Sequence, residues 1–394
     1  MASESVIVGC TRDNKKVYLC GEASNHNILA VGKSGCGKTT ELLNLIVQKA
    51  KAGEHILVIN YRDSTYGLPA ALANEYARLA SVVDVVNEGL AVPLFTPQKN
   101  ADGREESEES MLERIVKIFR YAANLAPTQE NILLEALRTT YDQNAYASAG
   151  MNVAAEFLSV QNKHVAEQTL SKMKLFFSDN FLHDGDFLAF KKNILEINLN
   201  DLEYDDQMTV VRFLLDYLLR MAFKGRFRGS GITIFVDEAQ DLDFSKNSPV
   251  VTLLNETRKQ NVRLMFATPS ITEAKKKCNE TLAQCGLCLY FSPMDSDRRK
   301  VAGFIGTNPR SIDHWVYRLS KLGRGEFVAK GNVALDGNIS FNPLVLRGYV
   351  EDKRKSSSHK VIVTNCAGSG NNSCNAKEKD MQLTIPIEEE DEDE

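Results

Sequence analysis

Gly32, Lys33, Ser34, Gly35, Cys36, Gly37, Lys38 and Thr39, with Thr40 behind them, have the types and spacing of a phosphate cradle, G-x-x-x-x-G-K-[ST]. The glycines let backbone N–H groups turn inward around a β-phosphate, where Cβ atoms would obstruct. Lys38 is placed to reach the β- and γ-phosphates and Thr39 to offer its hydroxyl to Mg²⁺. A helix beginning near Thr39 turns its positive end toward the anion. A second constellation, Ile232-Thr-Ile-Phe-Val-Asp237-Glu238, is an apolar run ending in two carboxylates. Asp237 suits holding Mg²⁺ through water, and Glu238 suits orienting and deprotonating the water that attacks a γ-phosphate. A third run, Arg263-Leu-Met-Phe-Ala-Thr268, ends in a hydroxyl expected to sense that phosphate. The ligands implied are ATP and Mg²⁺; the bland alternatives are a Gly-rich turn and solvated turn carboxylates.

These groups need a sheet to bring them together. Residues 27–31 form an apolar run before the cradle, and Leu42, Leu43, Ile46, Val47 and Ala50 after it recur at helical spacing, which predicts strand, loop and helix. Residues 55–60 read as a buried parallel strand ending in a polar loop, 82–86 as a further short strand, and 193–199 as a strand in which Leu195, Ile197 and Leu199 alternate. A long helix is expected over 205–224. Residues 5–20 read as a small β-hairpin turning at 12–14 and leading into the cradle strand. From 105 to 180 only helical periods occur, as in Met111, Leu112, Ile115, Val116 and Phe119. That stretch reads as an all-helical insertion, and it accounts for the roughly two hundred residues between the two motifs. The predicted class is therefore α/β with a mainly parallel sheet, whose carboxyl edge carries the chemistry.

With 394 residues, 43% of them hydrophobic and 25% charged, the chain is long enough for a large core. No apolar run spans a bilayer and the first residues lack the order of a signal peptide, so no membrane span and a cytoplasmic location are expected. Eight scattered cysteines do not form a disulfide framework, and Cys285-Gly-Leu-Cys288 lacks the further ligands of a zinc site, so it reads as core thiols. Setting aside the seven carboxylates of residues 388–394 turns the net charge from −5 to +2. Two regions are expected: a motor domain over 1–350 and a disordered linker with an acidic tail over 351–394. Within the tail, 381–387 reads as a short strand or docking peptide. The acidic end is either a solubilising tail or a DNA mimic.

The order of parts resembles the HerA/FtsK superfamily of DNA-translocating ATPases, especially its HerA-like and conjugative-transfer branches. The stretches that carry the likeness are His26-Asn-Ile-Leu-Ala-Val-Gly-Lys-Ser-Gly-Cys-Gly-Lys-Thr, Phe235-Val-Asp-Glu-Ala-Gln240, Thr257-Arg-Lys-Gln-Asn-Val-Arg-Leu-Met-Phe-Ala-Thr268 and Leu319-Ser-Lys-Leu-Gly-Arg-Gly-Glu326. The resemblance implies a RecA-like P-loop NTPase fold, a homo-oligomeric ring of six, and ATP hydrolysed between neighbours to drive double-stranded DNA through a pore. It also implies an arginine finger supplied in trans. Arg258 matches the family position, with Arg298 and Arg299 as the other choices and surface ion pairs as the plain alternative. Three departures stand out: Pro269-Ser270 follows Thr268 where the family has Gln, Asn60 stands where Asp commonly ends the second strand, and only about thirty residues precede the cradle. A bare motor is expected, without the amino-terminal barrel or membrane helices of its relatives. Lys275, Lys276 and Lys277, and secondarily Lys224, Arg226 and Arg228, are candidates for gripping DNA phosphates. The second functional reading is an ATPase scaffold that assembles or licenses an effector or loading protein, such as a nuclease in repair or anti-phage defence. No LSGGQ-like segment supports a transporter-type ATPase.

Overall fold

Short aliphatic runs build the centre of the protein in the computed structural model, which describes residues 6–349 apart from 22–24, 64, 66, 101, 143–147, 162–163, 179–180, 271–281, 283 and 341. Lys275, Lys276 and Lys277 lie outside the described residues, as do 351–394. In chain order the first elements are β1 (Ile7–Cys10), β2 (Lys16–Leu19), β3 (Ile28–Val31), α1 (Lys38–Lys51), β4 (Ile56–Asn60), α2 (Ala70–Leu79), β5 (Ala80–Asp84), α3 (Val85–Glu88) and β6 (Leu90–Ala91). Four helices follow, α4 (Glu108–Ala122), α5 (Pro127–Asp142), α6 (Ser148–Val160) and α7 (His164–Met173), then β7 (Leu182–His183), β8 (Ile194–Asn198), α8 (Tyr204–Phe223) and β9 (Ile232–Val236). The chain continues through α9 (Pro249–Glu256), β10 (Val262–Thr268), β11 (Leu287–Tyr290), α10 (Arg298–Ile305) and α11 (Pro309–Ser320). It closes with β12 (Glu326–Gly331), β13 (Val333–Leu335), β14 (Asn338–Ser340) and β15 (Leu344–Arg347).

Thirteen strands form one sheet, ordered β14-β13-β2-β1-β15-β12-β11-β3-β10-β9-β4-β8-β5. From β11 to β5 all neighbours are parallel, so the carboxyl ends of β3, β4, β9, β10 and β11 share one edge. From β12 outward the pairing is antiparallel. Both faces of the central parallel strands are covered, which is why β3, β4, β9 and β10 are almost wholly buried and largely apolar. In β3, Leu29 and Val31 join the core under α8 and the helices α4–α7, whereas Ile28 and Ala30 join the core under α1 and α2. Burial of Ile28, Leu29 and Val31 contributes roughly 1.5–3 kcal/mol each relative to exposure. Phe119, Phe176 and Phe213 pack ring to ring, at centroid separations of 5.0–5.6 Å, between α4, the segment after α7, and α8.

The expected hairpin is β1–β2, and β15, β12 and β11 stand between it and β3. Pairing with β15 and β13 gives both hairpin edges partners, an outcome that local sequence cannot specify. One expectation is corrected: the strand expected at 82–86 is β5, which stops at Asp84, because the Asp84 carboxylate accepts the N–H groups of Val86 and Asn87 and starts a helical turn. Among the described residues, no helix is long and apolar enough to cross a membrane. Cys285 and Cys288 are both buried thiols, and burial pushes Cys288 up to about 11.

Candidate nucleotide site

Between β3 and α1 the backbone turns through Gly35 (φ 75°) and Gly37 (φ 105°), conformations that favour glycine. Gly32 is required for a different reason: a Cβ there would lie 2.7 Å from that of Phe291. The loop is pinned from outside as well. Gly32 N donates to Thr268 O (3.2 Å), Lys33 N donates to Ser292 O (2.9 Å), and Gly325 N donates to Cys36 O (2.9 Å). Its shape is therefore fixed by the ends of β10 and β11 and by the segment entering β12. Cys36 is buried in the loop, and burial raises its thiol pKa despite the nearby Lys38.

Lys38 is buried, and its Nζ donates back across the loop to Lys33 O at 3.2 Å. One residue on, Thr39 Oγ1 donates to Asp237 Oδ2 at 2.9 Å. A hydroxyl and a carboxylate meeting at the mouth of a phosphate loop fit Mg²⁺, which takes one or two protein oxygens and completes its shell with waters and phosphate. Thr39 and Asp237 are thus the pair that would hold it. Among the described residues there is no group of three or more His, Cys, Asp or Glu placed to hold a metal ion.

Glu238 follows β9 in a left-handed conformation (φ 51°, ψ 49°). Its N–H donates to Asp237 Oδ1 at 2.9 Å, and the Tyr61 hydroxyl lies 2.8 Å from Asp237 O and 3.0 Å from Glu238 O. Burial, together with the charges of Asp241, Asp237 and Glu238, pushes the Tyr61 phenol well above its usual range, so Tyr61 remains a donor. Gln240 Nε2 donates to Glu238 Oε2 at 2.6 Å, while Gln240 Oε1 lies 3.3 Å from Thr268 Oγ1. The single Thr268 hydroxyl proton is shared between Gln240 Oε1 and Ser270 O, the latter the nearer at 2.9 Å, and the Ser270 hydroxyl donates to Asp297. A polar chain thus runs from Glu238 through Gln240, Thr268 and Ser270 to Asp297, at the start of α10. Gln240, Tyr61 and Asp297 escape a reading of sequence. Tyr61 and Gln240 closely follow strand ends, and Gln240 also closes the family-like stretch that begins at Phe235, but none of these signals assigns a partner.

Asn60 has a structural task. Its Nδ2 donates to Glu196 Oε1 at 2.7 Å, and the Tyr76 hydroxyl donates to Glu196 Oε2 at 2.7 Å. An aspartate at 60 would set a second carboxylate against buried Glu196, which like-charge repulsion disfavours.

The arginines separate. Arg258 lies in the 3-10 turn Thr257–Gln260 that precedes β10, at the amino edge of the sheet, whereas the cradle is at the carboxyl edge. Seven residues of strand, roughly 20 Å, part it from Thr268. It lines a cavity of about 240 Å³ with His26, Asn255, Arg263 and Gln284. Arg298 and Arg299 stand past β11 on the cradle's own edge, paired with Asp295 and with Asp313 (2.9 Å), respectively. Lys224 donates to Glu106 (3.0 Å) and Arg226 to Asp186, both away from the cradle.

Compared with models of protein families and with curated protein sequences, the chain matches none. Its structure does resemble solved ones. VirB4 of Thermoanaerobacter pseudethanolicus superposes with a TM-score of 0.64 at 13% identity, over 89% of this chain and 98% of VirB4. The bacterial conjugative coupling protein TrwB superposes with a TM-score of 0.61 at 11% identity, over 89% of this chain and 90% of TrwB. TrwB has also been solved with the non-hydrolysable ATP analogue ADPNP, a form that superposes with a TM-score of 0.55 at 12% identity, over 89% of this chain and 90% of that one. The fold is the α/β P-loop ATPase fold of these proteins, as the motifs imply.

Proposed function

We propose that the chain is a cytoplasmic, ATP-hydrolysing motor of the HerA/FtsK type that moves double-stranded DNA as a hexameric ring. The observation that carries the ATP-hydrolysing part of this reading is the meeting of Thr39 with Asp237 beside Lys38, with Glu238 held next to it by Gln240; the ring and the DNA rest on the resemblance to HerA/FtsK motors. In the mechanism that follows, Lys38 exchanges its bond to Lys33 O for phosphate oxygens. Thr39 and Asp237 would hold Mg²⁺, which would supply charge neutralisation at the phosphates. Glu238 takes the proton of the attacking water, and Thr268 marks the γ-phosphate end of the site. TrwB, known with ADPNP, with the GTP analogue GDPNP and with ADP and Mg²⁺, supports a purine nucleotide and Mg²⁺ as the ligands.

Arg258 is on the wrong edge to serve its own cradle, so its role as a finger requires a neighbouring subunit, which a ring supplies. Arg298 and Arg299 are the alternatives on the near edge, and Lys275, Lys276 and Lys277 are the proposed pore contacts. The test is ATP turnover with and without duplex DNA, paired with images in the presence of an ATP analogue. Stimulation by duplex DNA and a six-membered ring with a DNA-sized hole are expected. Turnover indifferent to DNA would overturn the motor in favour of a scaffold that licenses a partner.

A further inference from the structure

We propose that the exposed face of α11 grips the phosphate backbone of duplex DNA and transmits that contact to the nucleotide site, an inference that rests on the DNA reading above. Helix α11 is strongly two-sided. Leu319 is buried, and Ile312, Trp315 and Val316 pack against the core. Arg310, His314, Tyr317, Arg318 and Lys321 are all exposed, Tyr317 at 64%. At 3.6 residues per turn these five fall within an arc of roughly 100°, on a helix about 18 Å long. Asn308 caps the helix by accepting Ser311 N at 3.0 Å and Pro309 opens it, so the face is rigidly presented.

Among the described residues, no carboxylate neutralises the cations on this face. Nearby carboxylates are engaged elsewhere: Asp313 with Arg299, Asp295 with Arg298, and Asp297 with Ser270. Among the described residues no carboxylate pairs with Arg310, Arg318 or Lys321, and Lys321 Nζ sits 5.7 Å above the Tyr317 ring. A convex helix face offers no pocket for a small anion. It suits a surface with closely repeated charge, and B-DNA presents one phosphate per roughly 1.7 Å of axis. Arginine, lysine and tyrosine are residue types that contact phosphate without reading bases.

The link to hydrolysis is in the anchoring of the helix pair. The excursion α10–α11 leaves the sheet at Ser292, whose carbonyl accepts Lys33 N, and returns at Gly325, whose N–H donates to Cys36 O, both at 2.9 Å. The return is close: a Cβ on Gly37 would lie 3.4 Å from Gly325 Cα. Asp297 at the base of α10 is the far end of the polar chain from Glu238. Force on α11 therefore has a path to the cradle through two backbone hydrogen bonds, and a second toward Glu238 through Asp297, Ser270, Thr268 and Gln240.

The experiment compares the full-length wild type with the R310Q/R318Q/K321Q variant, using fluorescence anisotropy of labelled duplex DNA across a salt series and ATP turnover with and without that duplex. The variant is expected to bind duplex DNA roughly tenfold or more weakly. The slope of log K against log salt should be shallower by about 1 for each residue replaced. DNA-free turnover should be unchanged and DNA stimulation lost. Unaltered slope and affinity in the variant overturn the proposal and leave the motor reading standing, whereas a wild type that binds no duplex overturns both. A change in assembly mass by light scattering overturns it by assigning the face to a subunit contact. Undiminished DNA affinity with lost binding of a peptide of residues 381–394 overturns it in favour of the acidic end.

Discussion

Glu238 holds a backbone conformation that costs a non-glycine residue on the order of 1–3 kcal/mol. The Tyr61 hydroxyl, the Asp237 carboxylate and the Gln240 amide over-determine it from three sides. Replacing Glu238 with Gln keeps the shape and removes the proposed base, so turnover should fall by about 10²–10⁴ while calorimetry still finds ATP binding. Near-normal hydrolysis would refute the base assignment. Gln240 and Thr268 are expected to act on Glu238 as a unit, because the Thr268 hydroxyl proton, shared with Ser270 O, faces the Gln240 amide oxygen and leaves its nitrogen toward Glu238. Gln240→Ala and Thr268→Val should each lower kcat roughly tenfold with little change in KM, and the double variant should be little worse than the singles. Multiplicative losses in steady-state kinetics would mean that the two residues work independently.

At the scale of elements, α1 is clamped by the segment that follows β15. Gly348 N donates to Gly325 O at 2.9 Å, and Asn44 Nδ2 donates to Tyr349 O at 2.8 Å. Beneath this strap, Glu41 in the first turn of α1 is buried, and its Oε1 has no partner among the described residues. Burial pushes its carboxyl well above the usual range, against a weaker opposing bond with Asn44. A raised folded-state value means that Glu41 favours the fold below the ordinary carboxylate range and that this is lost as pH rises toward the raised value. Glu41→Gln should therefore match the wild type near pH 4 and exceed it increasingly toward neutral pH in denaturant titrations. A stability difference independent of pH would show that the carboxyl does not titrate this way. Such a role could not be read from sequence, where Glu41 looks like an ordinary acidic residue favoured in a first turn.

For the whole molecule, the dominant electrostatic feature is the separation of a body carrying +2 from seven carboxylates at the end of the chain. If the acidic end mimics DNA, removing residues 381–394 should raise affinity for duplex DNA and DNA-stimulated turnover, most visibly at low salt where charge is least screened. Unchanged binding would leave it a solubilising tail. The sheet is the other whole-molecule feature. Its antiparallel wing returns β12 and β15 beside β11, which brings Gly325 and the strap onto the cradle from a part of the chain three hundred residues away.

The sequence by itself determined the phosphate cradle, the two carboxylates and the strands that carry them, because each is a local pattern: glycines where backbone must turn, a hydroxyl after lysine, acids at the end of an apolar run. Helical spacing likewise marked α4–α7, where every turn carries its own apolar residues. The tertiary structure alone decided that Arg258 stands at the opposite edge from the cradle and that Asn60 answers to Glu196. It also decided that β1–β2 sits three strands away from β3 and that the polar chain from Glu238 ends at Asp297. Each of these depends on pairing between residues distant in sequence, where the partner rather than the residue's own type sets the role. Periodicity shows which face of a strand or helix is buried, but not what lies against it.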